Sequence, residues 1–80
     1  MNEQFENYVL DLGVLVKEKA LEAKATKDES VCRKDSDYHL GYLMAFYEIV
    51  SLMQQQAAVF DINLVQVGLD NIDPELDLLQ

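Results

Sequence analysis

Apolar residues recur along the first third of the chain at Phe5, Tyr8, Val9, Leu12, Leu15, Val16, Ala20 and Ala23. This i, i+3, i+4, i+7 spacing marks one face of an amphipathic helix. Asn2 stands where a side-chain cap belongs, and Glu3 and Glu6 suit the first turn. The lysines gather in the second half, as the helix dipole favours. The spacing predicts a first helix over 3–27. Residues 28–37, DESVCRKDSD, are polar and read as the connection. Glu29 and Arg33, four apart, could carry the first helix further. Ser36 or Asp37 is the expected cap of the second helix.

That second helix is predicted over 38–60, and it has two apolar faces. One carries Tyr42, Phe46, Ile49, Met53, Ala57 and Phe60; the other carries Leu40, Leu43, Met44, Tyr47 and Val50. A helix apolar nearly all round is a buried one. Folding the chain back near residue 32 pairs positions whose numbers sum to about 64, as a short connection between antiparallel neighbours requires. Phe5 then lies beside Phe60, Leu12 beside Leu52 and Leu15 beside Ile49. Phe5, Leu12, Leu15, Phe46, Ile49, Met53 and Phe60 are the expected intrachain core. Gly13 falls opposite Ser51 and Gly41 opposite Ala23. Close approach at such small pairs would offset the roughly 1 kcal/mol that a helical glycine costs against alanine. The second face, Leu40, Leu43, Met44, Tyr47 and Val50, has no evident partner in its own chain and is the expected dimer interface. The fold expected is an all-α antiparallel helical hairpin that forms a four-helix bundle as a homodimer.

Beyond residue 60 the period breaks. Asn63 and Gln66 have the spacing of a capping box, and Gly68 can end a short helix over 64–68 in the left-handed conformation, with Leu69 packing back. A strand over 62–67 is the alternative. Asp73-Pro74 reads as N-cap and first helical position of a last segment over 73–79, which bears Leu76, Leu78 and Leu79. Docking of this tail on the bundle and docking on another protein both remain open.

Composition adds constraints. Eighty residues make one domain, too short to bury much surface without a staple or a partner. Cys32 is the only cysteine, so no intrachain disulfide forms. With a start, MNEQFENYVL, unlike a secretory signal, this predicts a reducing, cytoplasmic setting. The run from Leu40 to Met53 is too short to span a bilayer, so no membrane partner is expected. A net charge of −9 argues against nucleic acid. All six basic residues lie between 17 and 34, and from Asp35 onward there are eight acids and no base. Solubility and helix-end electrostatics account for this; an acidic surface for a basic partner is the sharper reading.

Candidate chemistry is sparse. His39 lies near Asp35 and Asp37 and reads as a capping-region histidine touching an acid, since a metal site needs several spaced ligands. Cys32 lies beside Arg33 and Lys34, which can stabilise a thiolate, but has no resolving cysteine. Glu48 interrupts the apolar span and is expected to reach Lys17 or face solvent. The acids from Asp70 to Asp77 fail the glycine and glutamate positions of a calcium loop. The aromatics, at helical spacing, read as packing rather than as a ligand slot. No catalytic residue, cofactor or metal ligand is assigned.

The stretch YHLGYLMAFYEIVSLMQQQAAVFDI, followed by GLDNIDPELDLL, resembles small uncharacterised bacterial helical-hairpin proteins. In these a glycine-bearing apolar helix precedes a Gly-Leu…Asp-Pro…Leu-Leu tail. The resemblance covers residues 38–79. It implies a bacterial source and a helical protein, and it brings no activity and no site residues. The expected function is therefore a non-catalytic protein–protein interaction or regulatory module acting as a homodimer. One alternative is an acidic inhibitor or immunity-type protein that covers a basic partner surface. Another is an enzyme or ligand carrier with a site between helices around Tyr42, Phe46 and Glu48.

Overall fold

The computed structural model describes residues 2–30 and 34–80. Asn2 accepts a hydrogen bond from the Gln4 amide at 2.7 Å and starts α1, Glu3–Glu29. The second helix, α2, runs over Ser36–Val59. Asp35 takes its N-cap position, without a side-chain capping bond, where Ser36 or Asp37 was expected. The two helices pack antiparallel. Thr26 lies with Tyr38, and Val9 with Gln56, so the numbers of facing residues sum to the mid-sixties. Glu29 closes α1 as an extended first helix would, while Arg33, Cys32 and their part in the connection lie outside the described residues.

The segment after α2 is built as its local signals predict. Asp61 turns the chain at φ 58. Asn63 then accepts from Val65 N while Gln66 Oε1 accepts from Asn63 N, a complete capping box at the head of a 3-10 turn, Leu64–Val67. Gly68 ends that turn at φ 73. A strand over 62–67 does not form. Asn71, at φ 61, redirects the chain into a single π turn, Pro74–Leu78. Asp73 Oδ1 accepts from the amides of Glu75 and Leu76, and Asp77 Oδ2 accepts from Asp73 N. Asn and Asp tolerate positive φ better than other side-chain-bearing residues.

Residues 61–80 form an arm that lies along the hairpin and completes its core. Leu69, Ile72 and Leu78 of the arm are buried together with Ala20 and Ala23 of α1 and Leu43 and Val50 of α2. Val16, Phe46, Tyr47, Met53 and Val67 pack around them. Small α1 residues at this face let the arm sit close. Polar side chains then satisfy the arm's carbonyls: Gln54 Nε2 donates to Leu69 O and Ile72 O at 3.2 and 2.9 Å, and Lys17 Nζ to Asp70 O at 2.9 Å. Lys24 Nζ reaches Gln80 O at 2.9 Å and the Asp28 carboxylate. The hydrogen bond from Lys24 holds the exposed Asp28 carboxyl below its ordinary pKa.

Docking of the arm reverses the expected allocation of faces. Leu43 and Val50, expected in a dimer interface, are fully buried within the chain, and Tyr47 is half-buried beside them. Their partner is the arm, which sequence periodicity alone could not assign to them. Leu40 and Met44 of the same set stay exposed at its edge. Of the expected intrachain core, Phe46 and Met53 do pack on it. Phe5, Leu12, Leu15, Ile49 and Phe60 instead lie at the surface. The two-layer thickness of helices plus arm is satisfied on one side only.

The glycines are corrected too. Gly13 approaches not Ser51 but the 3-10 turn: a Cβ built there would fall 1.6 Å from Val67 O. Gly41 does not press on Ala23; it is exposed, and a Cβ there meets nothing within 4 Å. Gly41→Ala is therefore expected to raise stability by about 0.5–1 kcal/mol, the ordinary helix-propensity gain. An upward shift of the thermal midpoint checks it; a loss of stability would place an unseen neighbour there.

Candidate interaction surface

The side of the hairpin opposite the arm is apolar and uncovered. On α1, Phe5, Leu12 and Leu15 repeat at seven and three residues and fall on one stripe. On α2, Tyr42 and Ile49 fall on the flank that faces the same way, and the exposed C-cap residue Phe60 follows at the end of that helix beside Val9. Two observations agree with this placement. Lys17, Lys24 and Gln54 reach the arm from one side of each helix. On the other side, Lys19, Glu22 and Thr26 of α1 meet Tyr38 and Tyr42 of α2 across a shallow crevice. The six apolar residues retain between 42% and 70% of their accessible surface.

The face is also partly pre-ordered. Tyr38 and Tyr42 stack with ring centroids 6.3 Å apart, and Tyr42 meets Phe46 edge-on at 5.2 Å. Phe46 packs on the core, so the row of rings runs from the interior out to the surface. Rings held this way lose little freedom when a partner covers them. Charge is nearly absent from the stripes: Lys19 and Glu22, toward the crevice end, are the charged positions.

Other candidate features are not brought together. Glu48 is exposed, and among the described residues no ion pair reaches it; Lys17, its expected partner, lies 3.9 Å from the Asp70 carboxylate instead. Glu48 is also absent from the crevice at Tyr42. His39 Nε2 lies 2.9 Å from Asp35 Oδ2, as a capping-region histidine would. Among the described residues no group of three His, Cys, Asp or Glu is placed to hold a metal ion. Cys32 lies outside the described residues. Several acids of the arm already have local tasks: Asp70 pairs with Lys17, Asp73 caps, and Asp77 closes back on Asp73 N.

Sequence reading missed two functional contributions. Gln54 sits in a plain Gln-Gln-Gln run and gave no sign of clamping the arm. The exposed face was legible as a stripe but was taken for the interior. No described helix is long and apolar enough to cross a membrane. Comparison with known protein families, curated proteins and solved structures finds no match, so the functional reading rests on the chain's own geometry.

Proposed function

We propose that this chain is a non-catalytic protein–protein interaction module that acts as a homodimer. The observation that carries the reading is the uncovered apolar face of the hairpin. Taking about 200 Å² for a fully exposed large apolar side chain, its six central residues expose roughly 600 Å². Flanking Tyr38 and Leu52, also well exposed, bring the area to the order of 800 Å² that each partner buries in a standard stable interface. The dimensions of 48 × 21 × 16 Å explain why so small a core leaves so broad a face.

An acidic inhibitor is supported less well, because three of the arm's five acids serve the arm itself and the apolar face carries little charge. Light scattering on a sizing column at micromolar concentration tests the reading: the expected mass is twice 9.1 kDa, and a concentration-independent 9.1 kDa species refutes it. Ile49→Glu is expected to weaken the dimer about 30- to 800-fold, in line with the roughly 2–4 kcal/mol of a central interface residue. It should leave the helical circular dichroism signal intact, because Ile49 lies outside the core.

A further inference from the structure

Resting on that reading, we infer that the second copy docks by a two-fold axis running along the hairpin, which lays the α1 stripe of one protomer on the α2 stripe of the other. Two orientations allow a face-to-face isologous dimer. An axis across the hairpin would set α1 against α1 with ends reversed. An axis along the hairpin sets α1 against α2 with ends kept together.

The distribution of side chains separates them. The α1 stripe is apolar in its first half, at Phe5, Leu12 and Leu15, and polar in its second, at Lys19, Glu22 and Thr26. Reversing the ends would press Lys19 and Glu22 onto the partner's Leu12 and Phe5 region. That would bury charged groups against apolar surface without partners, a large penalty. Keeping the ends together avoids this. Phe5 then meets Phe60, Leu12 meets Leu52 and Leu15 meets Ile49, each time on the other protomer. At the opposite end Glu22 and Thr26 meet Tyr42 and Tyr38, whose hydroxyls can accept and donate. The mid-sixties register of α1 against α2 within one chain is then repeated between chains, and the residues with complementary spacing find one another there. The partner is a copy of this chain rather than a charged protein, because the face is self-complementary in shape of pattern and carries one positive and one negative group.

Single cysteines introduced into a Cys32→Ser chain test the orientation. Leu15→Cys and Ile49→Cys proteins are mixed, allowed to exchange and oxidised, and the products are resolved by mass. Disulfides form only where Cα atoms approach within about 7 Å. The expected result is a Leu15→Cys to Ile49→Cys cross-linked heterodimer in at least tenfold excess over cross-linked Leu15→Cys homodimer. Prominent Leu15→Cys homodimer overturns the axis along the hairpin, as does the absence of both products from a mixture that light scattering shows to be dimeric. In either case homodimerisation itself stands. A chain that is monomeric before mutation removes the inference together with the reading it rests on. Circular dichroism of both variants, whose mutated positions are exposed, confirms that the fold is retained.

Discussion

Gly13→Ala is expected to destabilise the protein by about 2–4 kcal/mol, although alanine is the better helix former by roughly 1 kcal/mol. The new methyl would collide with Val67 O at 1.6 Å and Val67 C at 2.7 Å. Backbone cannot swing aside as a flexible side-chain end can. Gly68 makes the same contact from the other side: a Cβ on it would stand 2.5 Å from Leu10 O, and its φ of 73 already favours glycine. The turn must therefore lift off α1, and Leu69 next to it leaves the core. Urea unfolding gives the measurement. Stability equal to or above wild type would show that the turn does not rest on α1. Paired with Gly41→Ala, the experiment opposes two helical glycines that composition cannot tell apart.

Leu43→Glu is expected to unfold the chain rather than divide a dimer. Leu43 is 1% exposed and lies among residues of α1, α2 and the arm. Burying a carboxylate there without a partner costs well over about 4 kcal/mol. Domains of this size have a total stability of only about 4–12 kcal/mol. Loss of the helical circular dichroism signal at neutral pH is the expected observation. A helical monomer would return Leu43 to the surface and the arm to solvent. The contrast with Ile49→Glu is sharp because the two positions lie six residues apart on one helix and face different neighbours.

Much of the fold was legible because its signals are local. Helix extents follow from apolar period and caps: Asn2 at α1, Asn63 with Gln66 at the 3-10 turn, Asp73 with Pro74 at the last turn. Register followed from the shortness of the connection. What could not be read was which apolar face of α2 the chain covers for itself. Leu43, Tyr47 and Val50 resemble Tyr42, Ile49 and Phe60 in hydrophobicity and spacing. The choice is made by Leu69, Ile72 and Leu78, whose approach depends on a turn resting on Gly13 and on carbonyls taken up by Gln54 and Lys17. Those contacts join residues far apart in sequence, and no periodicity announces them. The candidate surface was thus visible as a stripe and misplaced as an interior for the same reason.

The arm also bears on how the chain reaches its native state. Helix turns form from neighbours in sequence, but Lys17 meets Asp70 and Lys24 meets Gln80 across separations of 53 and 56 residues. Closing loops of that length is entropically unfavourable until the contacts within them form. Without the arm, the hairpin alone would leave Leu43 and Val50 open to water. Release of the arm would therefore bare a second apolar face, and the hairpin would then carry two sticky sides instead of one.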